Sequence, residues 1–422
     1  MMHSTISPEL SFKSIDRELD LDNWSLEHDK AHIKVYSKKN ASDSGVVGFK
    51  TITEHAVPIS IVFDLLKDVC GAMNQINAMF LSGETFENWP TESDQAGSVV
   101  RTSFKMPFPM ANREFVHGLH SYQKNETTFI VAYTPIEESN LPVQPNFVRC
   151  PMYVSGQRIM ILKSGLVRVE HLMIYRLGGA IGSYVQDNWL KKSHVGAYIK
   201  EWENLGGEIF PPKISTIDPQ QLKKIAHHTL SCSSTWQTAG KPKYGTVKVG
   251  SLSYLPQAVF RLDLEVDAPL EQVVHVLADE SLKYLPEWNS EYMNGEFLET
   301  MEETQDRSAW LIRVRYKTPF FLANREYVYY FSREWINKDE VLILYCSIDH
   351  ESTPPDQFVR ALLYPSIHRC LRLKDGRTKI EHVLATDLKG KLGALQNSFL
   401  KGSLTKAQCS DMEKQCRMFS AV

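Results

Sequence analysis

The stretch "KMPFPMANREFV" (Lys105–Val116) is written again as "KTPFFLANREYV" (Lys317–Val328), with eight of twelve aligned residues identical at an offset of 212. Average usage predicts roughly one chance identity per fifteen positions, so the repetition has a cause. It also extends outward. Trp24 matches Trp236, and Pro58 in "HAVPISIVFDLLKD" matches Pro269 in "VDAPLEQVVHVLAD". The "FVR" triplets Phe147–Arg149 and Phe358–Arg360 correspond, as do "VEH" (169–171) and "IEH" (380–382), then Gly179 and Gly182 with Gly390 and Gly393. An offset that holds over nearly all of 422 residues means two tandem domains, because solenoid repeats run about 20–50 residues. Residues 7–205 and 217–422 are expected to be the two copies. Between them "GGEIFPPKIST" (206–216) reads as a linker, with Gly-Gly ending a helix and Pro-Pro stiffening the connection.

The composition, 43% hydrophobic and 23% charged, is that of a globular protein. A net charge of −3 excludes nucleic acid as an expected partner, since phosphate backbones require a basic face. From Leu388 onward six Lys/Arg face only Asp411 and Glu413, an excess that suits an anionic membrane surface or a solvated helix. The seven cysteines are scattered without a C-x-x-C pair, so neither a disulfide framework nor a zinc site is expected. The acidic N-terminus lacks the apolar run of a targeting signal, and no uninterrupted apolar stretch reaches 18 residues. A cytoplasmic protein, peripheral to membranes at most, is the expectation.

Each copy reads as a helix, strands such as "AHIKVYSKK" or "YGTVKVGS", a proline-opened helix (Pro58–Lys67, Pro269–Ala278), and several more strands. "GSVVRTSF" and "AWLIRVRY" alternate, while "TTFIVAYT" and "EVLILYCS" are apolar strand-length runs. After Gly182 or Gly393 the spacing becomes helical (Val185, Trp189, Ala197, Ile199, Trp202; then Leu395, Phe399, Leu404, Met412). This predicts an α+β fold, a curved antiparallel sheet closed by a long final helix around an apolar cavity. Pro107, Pro109 and Pro319 cannot donate ladder hydrogen bonds and mark a corner before "NREFV" and "NREYV". Arg113–Glu114 and Arg325–Glu326 are expected to form corner salt bridges or hydrogen bonds that hold the loop against the sheet.

These phrases, with Trp288-Asn289 after a helix and "TDLKG" (386–390) before the last one, resemble START domains, the steroidogenic-acute-regulatory-related lipid transfer family. Phe108–Val116 is similar to the phosphatidylcholine transfer branch, and "CSIDHESTPPDQFVRA" (346–361) to the ceramide branch. The resemblance implies two helix-grip folds, each enclosing one lipid. In the phosphatidylcholine branch an Arg and an Asp flank the Trp, but here Leu285 and Asn289 stand there, and Met73, Ile76 and Asn77 in the first copy. A buried phosphate without that Arg lacks compensation, so phosphatidylcholine is disfavoured. The sterol branch's Glu–Arg pair is replaced by Val100 and Leu119, or Ile312 and Phe331.

The resemblance to the ceramide branch implies a head-group set of Glu299, Asn324, Asp356 and His382, and in the first copy Glu87, Asn112, a position near Asn140, and His171. Strand-end polar groups satisfied by backbone or water are the competing reading. Trp310, Ile312, Val314, Tyr327, Tyr329, Phe331, Val100 and Phe115 are the expected cavity wall. Leu141 and Val143, between Pro142 and Pro145, form an apolar loop tip able to enter a bilayer, or an ordinary exposed loop. His117 and His120 point to opposite strand faces, as do the members of Glu170–His171 and Glu381–His382, so neither a metal site nor an adjacent acid–base pair is expected. No catalytic residue or cofactor is predicted. The expectation is non-enzymatic lipid binding and transfer, with a ceramide-like or other neutral head favoured over phosphatidylcholine or sterol and the membrane contact transient. Alternatives are a lipid sensor or scaffold with one regulatory copy, and a helix-grip enzyme acting through Glu87 with His171 or Glu299 with His382; protein partners are not specified.

Overall fold

Both "ANRE" phrases open a long strand at their Asn. The computed structural model describes residues 8–30, 33–39, 46–89, 97–106, 110–136, 141–176, 195–203, 211–212, 214–232, 236–252, 254–255, 258–318, 323–351, 357–389 and 405–419. The chain divides into two compact units, residues 1–209 and 210–422.

In unit 1, ten strands form one sheet: β1 (Ser25–Lys30), β2 (Ile33–Lys39), β3 (Val46–His55), β4 (Phe80–Trp89), β5 (Gly97–Phe104), β6 (Asn112–Asn125), β7 (Thr128–Pro135), β8 (Phe147–Arg149), β9 (Ser155–Ile161) and β10 (Val167–Arg176). Their order is β1-β2-β3-β10-β9-β7-β6-β5-β4, and the short β8 runs parallel to the start of β6. All other pairs between these strands are antiparallel. Helix α1 (Pro8–Leu19) sets Phe12, Ile15 and Leu19 on one stripe, and they pack on Ile130, Ala132 and Leu172. Helix α2 (Ile59–Lys67) follows Pro58, whose φ of −59° is ready for a helix start. Helix α3 (Val69–Ile76) is capped by the Asp68 carboxylate, which accepts from Gly71 N.

Unit 2 repeats this plan with β11 (Gln237–Gly240), β12 (Gly245–Ser251), β13 (Ala258–Val266), β14 (Tyr292–Glu303), β15 (Arg307–Tyr316), β16 (Asn324–Asn337), β17 (Glu340–Ser347), β18 (Phe358–Arg360), β19 (Leu362–Leu363), β20 (Ser366–Arg372) and β21 (Thr378–Asp387). The order β11-β12-β13-β21-β20-β17-β16-β15-β14 is that of unit 1, and β18 again lies parallel to the start of β16. Two sheets of one topology in sequential halves carry the duplication into three dimensions.

The closing helices are shorter over the described residues than the spacing predicted. They comprise α4 (195–203) and, in unit 2, the 15 residues Thr405–Phe419, here α8 after α5 (Pro219–Ser231), α6 (Leu270–Val274) and α7 (Ser281–Trp288). The stretches holding Gly182, Trp189, Gly393 and Leu395 lie outside the described residues, as do Pro107, Pro109 and Pro319.

Salt bridges and hydrogen bonds of these residues hold the corner as expected, with partners outside the phrase. Neighbouring strand residues face opposite sides, so Arg113 and Glu114 separate. Glu114 instead takes Arg149 Nε at 2.7 Å and Gln144 N at 3.2 Å; Glu326 takes Arg315 Nε and Arg360 Nη2, both at 2.7 Å. Arg325 donates to the carbonyls of Leu388 and Lys389 at 2.6 and 3.2 Å. Each phrase's Asn turns its side-chain oxygen back on the preceding loop: Asn112 accepts from Met106 N and Asn324 from Thr318 N, both at 3.1 Å.

Candidate ligand-binding site

A cavity in unit 1 lies against the face of β6 that carries Arg113, Phe115 and His117. Thr102 and Phe104 of β5, Tyr133 of β7, and His171, Met173 and Tyr175 of β10 line it from the sheet. Because strands from β5 to β10 contribute, the sheet wraps around the space. Val69 and Met73 of α3 close it, with Asn77 just after that helix, and Ala197, Tyr198 and Glu201 close it from α4. Non-atom space totals about 820 Å³ with the mouth included, of which about 100 Å³ admits the centre of a water molecule.

Two chemistries divide this lining. Met73, Met79, Met106, Met152 and Met173 supply adaptable apolar surface, and Phe104 and Phe115 meet edge to face with centroids 5.9 Å apart. The polar groups gather where β6, β7, β9 and β10 come together. His117 sits 5.1 Å from Tyr133 between ring centroids, and Gln157 Nε2 donates to the Tyr133 hydroxyl at 2.5 Å. Gln157 is the cross-strand partner of His171. The His171 ring meets Trp202 at 5.5 Å and Tyr198 at 6.1 Å. Tyr198 in turn shares a side-chain hydrogen bond with Tyr175.

Burial decides the protonation of these groups. It pulls His117 down to about 4 and His171 to about 3, so both imidazoles are neutral near pH 7. It pushes Glu201 up to about 7 against an opposing hydrogen bond from Asn77 Nδ2, 3.0 Å away. That bond ties α4 to the end of α3 across the cavity. Tyr133, Tyr175 and Tyr198 are also raised by burial and stay protonated.

Among the head-group residues expected from sequence, His171 lines this cavity. Glu87 pairs with Val99 at the edge strand β4, and its side chain lies outside the described residues, as does all of Asp356. Glu299 is exposed on the edge strand β14, beside a register shift, rather than in the interior. Asn112 and Asn324 occupy the corners described above. His382 is interior: the Tyr345 hydroxyl bonds its Nε2, and its ring stacks on His368 with centroids 3.8 Å apart. Its neighbour Glu381 pairs with Arg369 and Lys379, as Glu170 does with Arg158, so strand alternation separates each Glu–His pair as expected.

Of the wall residues, Phe115 lines the cavity, and Val100 is buried as the cross-strand partner of His117. Ile312, Val314 and Phe331 are buried in unit 2's core, where Trp310 and Tyr329 pack against it. Tyr327 bonds the Thr386 hydroxyl at 3.2 Å. Leu141 is half-buried and Val143 is 49% exposed. Arg149 holds the Leu141 carbonyl at 3.2 Å, and Arg101 holds that of Pro142 at 3.2 Å while lying 4.8 Å over the exposed Phe86 ring.

Sequence reasoning missed His117, Tyr133, Gln157 and Glu201. Two signals were available. His117 is two residues from the expected wall residue Phe115, and Glu201 is one helical turn from Ala197.

The family model described as START domain matches residues 12–208 and again 228–416, so the chain belongs to the START domain family and carries that domain twice. No curated protein matches it. Among solved structures it is similar to human STARD10 at 16% identity, over 48% of this chain and 81% of that one, with a TM-score of 0.42. Human StAR-related lipid transfer protein 5 is 17% identical over 47% of this chain and 96% of its own, TM-score 0.40. The di-domain ARO/CYC BexL from the BE-7585A biosynthetic pathway spans 88% of this chain and 97% of its own at 11% identity, TM-score 0.26. No helix among the described residues is long and apolar enough to cross a membrane.

Proposed function

We propose that this protein binds lipid within its START domains and carries it between membranes without covalent chemistry. The unit 1 cavity carries the reading: a methionine- and phenylalanine-lined space ends in neutral polar groups, as an amphiphile requires. A ceramide-like or other neutral head is favoured over phosphatidylcholine, because Met73 and Asn77 line the cavity where the phosphatidylcholine branch has its head-group residues. Transient membrane contact is assigned to the loop bearing Leu141 and Val143, held by Arg101 and Arg149, and the protein is otherwise cytoplasmic. Residues 7–205 and 217–422 are the two functional domains, joined by 206–216, and in each a closing helix acts as the gate.

A second reading, one ligand-binding and one regulatory domain, draws on a difference between the copies. His382 is engaged by Tyr345, whereas Nε2 of its counterpart His171 has no hydrogen-bond partner among the described residues. The enzyme alternative takes nothing from Glu299, which is exposed.

Native mass spectrometry of the full chain, followed by lipid extraction and vesicle-to-vesicle transfer of labelled ceramide, tests both readings. Two lipids per chain support transfer by both domains, and one supports the asymmetric reading. No bound lipid and no transfer reject lipid carriage.

A further inference from the structure

Four side-chain polar atoms make no hydrogen bond among the described residues: Nδ1 and Nε2 of His117 and Nε2 of His171, which line one end of the unit 1 cavity, and Oε1 of Gln157, the cross-strand partner of His171. Their residues are only 2%, 3% and 1% exposed. Buried polar atoms are overwhelmingly paired, so four orphans gathered at one cavity wall call for partners that a bound ligand would supply.

The topology explains why they meet. His117, Tyr133, Gln157 and His171 come from β6, β7, β9 and β10, consecutive neighbours in the sheet. Gln157 opposes His171 across the β9–β10 ladder, and Tyr133 joins Gln157 to His117 by a hydrogen bond on one side and a ring contact on the other. The result is an arc of donors and acceptors roofed by Tyr198 and Glu201 of α4.

We infer that this arc reads the head group of unit 1's lipid, and that the head is neutral with at least two hydrogen-bonding groups, such as the hydroxyl and amide of a ceramide. The inference rests on the lipid-binding reading above and deepens it. A neutral imidazole offers one N–H and one bare nitrogen, and the Gln oxygen only accepts, so the ligand must both donate and accept. The four orphans are spread over three strands, more than one hydroxyl can serve. An anionic head finds no cation within the arc among the described residues. Arg113, the lining cation, lies four residues from His117 along β6, about 13 Å in a strand, and donates to the Ala111 carbonyl. This arc differs from the Glu87 and Asn112 set implied by family resemblance and shares only His171 with it.

The test uses the full chain and phosphatidylcholine vesicles carrying a diazirine-bearing ceramide, with crosslinked peptides mapped by mass spectrometry. Wild type is expected to crosslink within 97–203. His117→Leu should lower capture on the order of tenfold, the loss of about one well-made hydrogen bond, and His117→Gln should restore much of it by returning a donor and an acceptor. Gln157→Leu carries the same expectation from another strand, so the test survives a folding failure of one variant. Capture of a diazirine-bearing alkane without a head group should persist in all variants and reports an intact cavity. Unlabelled diacylglycerol, with a hydroxyl and two esters, should compete better than cholesterol, with one hydroxyl. Undiminished ceramide capture by both Leu variants overturns the inference while leaving lipid binding intact. So does stronger competition by palmitate or phosphatidic acid that is abolished by Arg113→Gln. Wild type that captures neither ceramide nor alkane overturns the lipid-binding reading itself, and this inference with it.

Discussion

Arg360 donates from Nη2 to Glu326 Oε1 at 2.7 Å, joining the last residue of an "FVR" triplet to the Glu of an "ANRE" phrase. The first copy makes the same join between Arg149 and Glu114. Two motifs 33 residues apart in the first copy (Glu114 to Phe147) and 32 in the second (Glu326 to Phe358) are thus halves of one parallel-strand contact, β8 on β6 and β18 on β16.

That contact predicts a stability effect. Burial raises the Glu326 carboxyl, but hydrogen bonds from Arg315 and Arg360 outweigh it and hold the group below its usual range. Glu326→Ala leaves those guanidiniums around a buried void and is expected to destabilise unit 2 by about 3–5 kcal/mol. Urea unfolding followed by circular dichroism measures it. A loss within experimental error would mean that the pair contributes no more than a surface ion pair.

Asn112 holds the corner through its oxygen. Asn112→Ala should cost about 1 kcal/mol in unfolding free energy by freeing Met106 N, while Asn112→Asp, which keeps an acceptor, should cost less. Ceramide capture that falls much further than stability does would instead assign Asn112 to the head-group site.

Glu201 gives a pH dependence with a definite sign. Its carboxyl is raised from 4.5 to about 7 in the folded protein, so the native state holds a proton that the unfolded chain has released. The stability this provides is complete below about pH 4.5, declines as pH rises to about 7, and is gone above it. The integrated change is about 3 kcal/mol. His117 and His171 have the opposite sign, since their depressed values give stability above about pH 6.5 that is lost as pH falls through about 4 and 3. Subtracting the pH–stability profile of Glu201→Gln from that of wild type isolates the first effect, and a flat difference between pH 5 and 7.5 would refute it.

The matched tryptophans each cover a glycine, though on non-equivalent strands, β3 in unit 1 and β12 in unit 2. Trp24 lies over Gly48 and Trp236 over Gly250, and each indole donates to a carbonyl at 3.2 Å. A Cβ at Gly250 would stand 2.7 Å from the Trp236 ring. Gly250→Ala is therefore expected to destabilise unit 2 by about 1–3 kcal/mol. A blue- or red-shifted tryptophan emission relative to wild type would accompany the displaced ring, and unchanged stability and emission would show that the ring yields freely.

Much of the architecture was legible because it is periodic or repeated. The 212-residue offset predicted paired folds, and the two strand orders agree. Pro58 and Pro269 marked helix starts, since proline's fixed φ suits that position. Strand alternation set His171 apart from Glu170. That Glu114 helps hold the corner was legible, but its partner Arg149 lies on a strand that pairs in parallel, a long-range contact local sequence does not show.

The binding arc was not legible in the same way. Local sequence determined which face of its own strand each residue occupies, because side-chain direction follows backbone periodicity over a few residues. Only the tertiary structure decided that His117, His171 and Glu201 share one cavity, with Gln157 beside them. Their meeting depends on the pairing order β10-β9-β7-β6 and on where α4 lies, which are long-range choices made by the folded sheet. For the same reason Asn112, which opens β6, and His171, midway along β10, part company. One finds a backbone N–H within reach, and the other turns into a space where no protein group among the described residues meets its Nε2.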